Sequence, residues 1–191
     1  MSVVGPSSAR DKMLEATYAC MARTGISKLT LEDAAKEAGI SRATLYRYFP
    51  GGRDQLIADV IAWAAFHWIE GLAAAVEGVR DFEELAVTAV MFAYESLQKH
   101  EVLQMVLNDE PGIVLPLLTV EATRIVAFIH IYIVTRLFGR TLPENLDTDN
   151  FAEYTARMML SFIASPGKWD LTDKEQVRML VKAQLIAVLG S

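Results

Sequence analysis

Residues 29–52 read "LTLEDAAKEAGISRATLYRYFPGG", and the order of caps and breakers in this stretch decides the fold. Thr30 can cap the free amides at a helix start, and Asp33 three residues on completes a capping-box-like pair. Leu31, Ala34, Ala35 and Ala38 then share one stripe, mostly of small side chains that let a neighbouring helix approach closely. Gly39 supplies the left-handed turn that stops this helix. The next helix starts only two residues later, with Ser41 as its cap and Ile40 placed to pack on Leu45 as a hydrophobic staple, and Pro50, Gly51 and Gly52 close it. Two short helices joined by so tight a turn match a helix-turn-helix, whose second helix lies in the DNA major groove.

On that second helix Leu45 and Phe49 stand one turn apart and point inward, leaving Arg42, Ala43, Thr44, Tyr46 and Arg47 to face outward. The outward types suit a duplex. Arginine pairs with guanine edges, Ala43 and the Thr44 methyl fit thymine methyls, and tyrosine hydroxyls reach phosphates. Arg53 opens the following helix, where its side chain and the free amides can hold a phosphate. Charge placement agrees: residues 1–60 carry +1 and residues 61–191 carry −7, so the acidity of the chain as a whole, −6, belongs to its second part.

Spacing is helical over nearly all of the 191 residues, with no strand alternation or hairpin signal. A first helix is expected from about Ser8 to Arg23, turning Met13, Leu14, Tyr18, Cys20 and Met21 inward and ending at Gly25. A long one is expected from Arg53 to about Gly78, and others from Asp81 to about His100, over Glu101–Leu107, from about Leu117 to Phe138, from Thr148 to Ala164, and from Thr172 to Leu189 with Thr172 and Glu175 as its cap. The expected fold is all-α: a three-helix helix-turn-helix domain over residues 1–53, then a larger helical domain over residues 54–191.

The stretch "LTLEDAAKEAGISRATLYRYFPGGRDQLI", Leu29 to Ile57, resembles the DNA-binding region of the TetR family of bacterial transcriptional repressors, and the helical plan of the rest is similar. The resemblance implies a capping residue near phosphate at Thr30, a base-reading edge of Ser41, Arg42, Ala43 and Thr44, and backbone contacts from Tyr46, Tyr48 and Arg53. Two departures stand out: the "PGG" loop is one residue longer than the commonest form, and Arg53 stands where lysine is more usual. The resemblance also implies a cytoplasmic homodimer that binds a palindromic operator, pairs through its last two helices and is released by a small effector.

The expected dimer stripes are Phe151, Tyr154, Met158 and Phe162, then Val177, Val181, Leu185 and Val188, burying each other and their symmetry mates. Large adaptable side chains suit a cavity for an apolar effector: Trp63, Phe66, His67, Met91, Tyr94, Met105, Phe128, His130, Met158 and Phe162. The competing reading of this Met and aromatic stripe is ordinary core. His130, within the run "IVAFIHIYIV" (residues 125–134), is a satisfied core histidine or, facing a cavity, a single orienting hydrogen bond for a ligand. That run is read as a buried helix, being well short of the roughly 20 residues that cross a bilayer, so no membrane partner is expected.

An enzyme is disfavoured. The chain lacks a phosphate-cradling loop, a dinucleotide fingerprint and a nucleophile elbow, Gly39-Ile40-Ser41-Arg42-Ala43 missing the final glycine. "HEVLQ" (residues 100–104) starts like a zinc-protease helix and fails at Gln104. No metal and no cofactor are expected. The single cysteine, Cys20, reads as a small buried apolar residue.

Overall fold

The computed structural model describes residues 8–102, 104, 126–127, 130–131, 134–135, 147–164 and 167–183, with the side chains of 159, 160, 163 and 164 excepted. Among the described residues there are helices and no strands: α1 (Ala9–Thr24), α2 (Leu31–Glu37), α3 (Arg42–Tyr48), α4 (Gly52–Ala75), α5 (Phe82–Gln98), α6 (Thr148–Ala164) and α7 (Lys174–Val181). The chain divides into two compact units, Met1–Gly71 with Lys99–Val114, and Leu72–Gln98 with Leu115–Ser191.

In the first unit the starts of α1, α2 and α3 are explained by their caps. Ser8 accepts from the Asp11 amide at 3.1 Å while the Asp11 carboxylate accepts from the Ser8 amide, a complete capping box for α1. Thr30 Oγ1 accepts from the Asp33 amide at the head of α2, and Ser41 Oγ accepts from the Thr44 amide at the head of α3. The inward residues form one core of Leu14, Met21, Leu29, Ala34, Leu45, Phe49, Leu56 and Val60, with Cys20 buried among them. Burying a Leu or Phe side chain of this kind contributes about 1.5–3 kcal/mol, enough to hold helices of seven residues that would not persist alone. Arg10 ties α1 to α4 through Asp59 at 2.7 Å, and Arg23 of α1 pairs with Glu37 of α2. Tyr18, expected inward, is only half-buried, because its hydroxyl reaches His100.

Gly39 sits at φ +66° between α2 and α3, with no atom within 4 Å of the position a Cβ would take. The requirement for glycine is therefore conformational and not steric. Gly39→Ala is expected to cost about 1 kcal/mol, seen as a lower urea midpoint at unchanged slope, with Gly39→Asn costing less.

The second unit is built on α5, which buries Leu85, Ala86, Val87, Val90 and Ala93 and packs against both α6 and α7. Asp81 lies one residue before α5 and accepts from the Glu84 amide, so the expected helix start is its cap. Phe151, Ala152 and Ala156 from α6, and Val177, Leu180 and Val181 from α7, complete this core. Arg178 joins the elements at the rim, pairing with Glu83, Glu84 and Glu175.

Three expectations change here. The cap of the last helix is Asp173, which accepts from the amides of Glu175 and Gln176; Thr172 is occupied in donating to Asp170 at 2.6 Å. The stripes expected to bury each other and their symmetry mates also pack on α5: Phe151, Val177 and Val181 are buried in that core, while Tyr154 is 42% exposed. Leu185 and Val188 lie outside the described residues. The run 125–134 is helical at its described positions but not buried all round. Val126, His130 and Val134 turn inward, and Ala127, Ile131 and Thr135 turn outward, with Ile131 61% exposed. Positions four apart repeat on each face, as a helix of 3.6 residues per turn requires.

Candidate nucleic-acid interface

The two inward residues of α3, Leu45 and Phe49, are fully buried, and this fixes the helix's rotation about its own axis. Arg42, Ala43, Tyr46, Arg47 and Tyr48 are consequently exposed and Thr44 partly so. The cations and rings are paired: the Arg42 guanidinium lies 5.5 Å from the Tyr46 ring centre, and that of Arg47 lies 5.6 Å from the ring of Tyr48. A hydrogen bond to Tyr46 raises the pKa of Arg42 above its ordinary value. Stacking of this kind limits the rotamers of a long side chain and leaves the guanidinium edge free to meet an acceptor.

Ser41, Thr44 and Thr30 carry a second task. Ser41 Oγ takes the Thr44 amide and lies 2.9 Å from Thr44 Oγ1, so these hydroxyls first complete the start of α3. Thr30 Oγ1 both accepts from the Asp33 amide and donates to the Asp33 carboxylate, at the exposed head of α2.

Arg53 is placed differently from the expectation. Its Nε donates to the Leu29 carbonyl at 2.8 Å, and its Nη2 donates to the carbonyls of Ile26 at 2.6 Å and Ser27 at 3.2 Å. The guanidinium expected to hold a phosphate also holds the loop between α1 and α2. Carbonyls in a loop without its own ladder need donors, and a fork of fixed geometry supplies several at once.

The residues expected around an effector fall into two groups. Trp63, Phe66 and His67 belong to the first unit: the Trp63 and His67 rings are 4.4 Å apart, His67 Nδ1 lies 2.9 Å from the Trp63 carbonyl oxygen, and Phe66 is 57% exposed. Met91, Tyr94, Met158 and Phe162 belong to the second unit, where all four are partly buried against its core. His130 faces Asp149, with Nε2 3.3 Å from a carboxylate oxygen. Met105 and Phe128 lie outside the described residues.

The residues gave no warning of a contact made by Tyr18 and His100, 82 positions apart. The Tyr18 hydroxyl is 3.1 Å from His100 Nδ1, and the rings meet edge to face at 5.4 Å. Burial lowers the His100 pKa, favouring the neutral ring, and raises that of Tyr18. The stability this contributes is complete above the unfolded value of about 6.5 and is lost as pH falls below it toward the depressed folded value. Between about pH 7.5 and 5.5 the urea midpoint should fall in the native chain and fall less steeply in His100→Gln; equal slopes would remove His100 as the cause.

Comparison with known proteins places this geometry. Residues 13–60 match the sequence model described as "Bacterial regulatory proteins, tetR family". An uncharacterised HTH-type transcriptional regulator of Mycobacterium tuberculosis is 29% identical over 58 residues, which is 30% of this chain and 30% of that relative's length. Among solved structures, the TetR family repressor AlkX from a Dietzia species, implicated in biodegradation of n-alkanes, superposes with a TM-score of 0.64 at 21% identity, covering 96% of this chain and 98% of that one. A TetR-family regulator from Pectobacterium atrosepticum gives 0.65 at 18% identity, with 93% and 94% covered. The fatty acid degradation regulator FadR from Bacillus halodurans gives 0.56 at 17% identity, with 94% and 96% covered. At these identities the structural likeness speaks for the fold alone, and the family likeness in sequence is confined to residues 13–60. Residues 13–60 are thus similar to the N-terminal segment of the TetR family of bacterial regulatory proteins, and the helices of the chain share the fold of solved TetR-family regulators.

Proposed function

We propose that the protein is a transcriptional repressor that binds a palindromic operator as a cytoplasmic homodimer and lets go when a small, largely apolar effector binds its second unit. The observation that carries this reading is the outward face of α3, where Arg42, Ala43, Thr44, Tyr46, Arg47 and Tyr48 stand exposed or half-exposed over the buried anchors Leu45 and Phe49. Arg42, Ala43 and Thr44 have the chemistry of base readout. Tyr46, Tyr48 and Arg47 have that of backbone contacts, with Ser41 and Thr30 presenting helix N-termini nearby.

One such helix reads too few base pairs for selective binding, which is why a pair of half-sites is proposed. Tyr154 on α6 and Met179 on α7, 42% and 55% exposed, are described apolar groups left for a second copy of the chain. For the effector, Met91, Tyr94, Met158 and Phe162 offer an adaptable apolar lining. On α6, next to Ala156 and one turn after Phe151, Thr155 is fully buried and its hydroxyl has no hydrogen-bond partner among the described residues. A buried hydroxyl in that state is costly, and a polar atom on a ligand would relieve it. The structural relatives named for n-alkane biodegradation and fatty acid degradation agree with an apolar effector class.

Ligand release requires the ligand to prefer the conformation that binds DNA poorly. The test is mass spectrometry of compounds that co-purify with the protein, followed by operator titration with and without the compound found, and sedimentation of the protein alone. A dimer whose operator affinity drops at saturating compound supports the reading. A monomer at micromolar concentration, or equal affinity in both titrations, contradicts it.

A further inference from the structure

We infer that Arg53 is a positioning residue for DNA recognition, a clamp on the loop between α1 and α2, and not itself a phosphate ligand; this rests on the DNA-binding reading above. The contact set carries the inference. Arg53 is the second residue of α4, directly after Gly52, whose φ of +73° turns the chain out of α3 and whose amide donates to the Phe49 carbonyl at 2.9 Å. From there the side chain crosses to residues 24 to 27 positions earlier in the chain. Its Nε and Nη2 donate to the carbonyls of Leu29, Ile26 and Ser27. The loop thus held runs from the end of α1 to Thr30, the cap of α2, and its apolar members Ile26 and Leu29 are buried in the core that also takes Leu45 and Phe49.

The clamp therefore joins the exit from α3 to the entrance of α2, the two ends that determine where the pair of helices sits. Each donor matters for a different carbonyl. A guanidinium presents its N–H groups in a rigid planar fork and can satisfy several carbonyls together, whereas an ammonium is a single point with rotating donors. Lysine would keep the charge and lose the fork. Nε and Nη2 face the loop, where the Ile26 carbonyl also accepts from the Leu29 amide at 3.2 Å, and Nη1 lies 3.6 Å from the Asp54 carboxylate.

Two variants separate the clamp from a direct phosphate contact. In the free full-length protein, amide exchange over residues 25–33 is expected to speed up about tenfold or more in both Arg53→Lys and Arg53→Gln, with the peptides of α5 and α6 unchanged. On a duplex recovered from a random pool with the native protein, Arg53→Lys is expected to bind about tenfold more weakly at every salt concentration. The slope of log affinity against log salt should be unchanged in both variants. Native exchange rates over residues 25–33 in Arg53→Lys would overturn the clamp. So would full affinity in Arg53→Lys together with a slope reduced by about 0.9 in Arg53→Gln, the signature of one lost phosphate contact. The exchange measurement needs no DNA, so failure of the native protein to bind any duplex would refute the regulator reading and leave the clamp to be judged by exchange alone.

Discussion

Phe49→Ala is expected to remove about 3–5 kcal/mol of folding stability, the largest effect of any single change considered for the first unit. Phe49 is fully buried at the end of α3, and the Arg10 guanidinium lies 5.3 Å from its ring centre. Its amide also donates to the Leu45 carbonyl, closing the helix. Truncation leaves a cavity beneath a helix too short to persist without its packing, so the cost is both lost transfer and unfilled space. The measurement is chemical denaturation followed by a probe in the first unit, such as Trp63 fluorescence. DNA binding should fail in step with unfolding. A loss below about 1 kcal/mol would mean that the ring does not anchor α3.

Tyr46→Ala tests the opposite face of the same helix. Tyr46 is 41% exposed, and nothing in the core depends on it, so the denaturation midpoint should hold while operator affinity falls by about 1–3 kcal/mol at fixed salt. Arg42 stacks on that ring, so Arg42→Ala and Tyr46→Ala should be less than additive in binding. Arg42→Ala should in addition relax the preference at one base pair of each half-site, while Tyr46→Ala weakens binding to all sequences alike. Native affinity in Tyr46→Ala would remove the residue from the interface.

The contrast between these two variants shows what the residues alone made legible. Local signals were strong where the chemistry is local: Thr30, Gly39 and Ser41 set the bounds of α2 and α3, and the spacing of Leu45 and Phe49 gave the inward face, all as the structure has them. What depends on distant partners was not legible. Arg53 has the sequence signature of a phosphate ligand, and only the placement of the loop at Ile26–Leu29 reveals that the loop uses its donors. The clue was present as an arginine in place of the more usual lysine, since a fork is what several carbonyls require. Tyr18 and His100 likewise meet through the fold, 82 positions apart.

The last two helices were legible only in part. Apolar stripes at Phe151, Val177 and Val181 are equally good for a neighbour within the chain and for a second copy, and periodicity does not distinguish the two. Here α5 takes them. Thr172 and Asp173 compete for one cap, and the carboxylate wins because one oxygen can accept from two amides while the threonine hydroxyl is held by Asp170. The apolar run around His130 reads as uniformly greasy, but a helix that packs on one side must show Ala127 and Ile131 to the other.

The central claim is that the outward face of α3 reads duplex DNA. Its most direct test is selection of bound duplexes from a random pool by the purified protein, followed by titration of the enriched sequence at stepped salt. The expected result is a palindrome whose half-sites are one helical turn or a multiple apart, bound with an affinity that falls steeply with salt and selectively loses to Tyr46→Ala and Arg42→Ala. A pool that remains random after selection, or enrichment that the two substitutions leave intact, would contradict it.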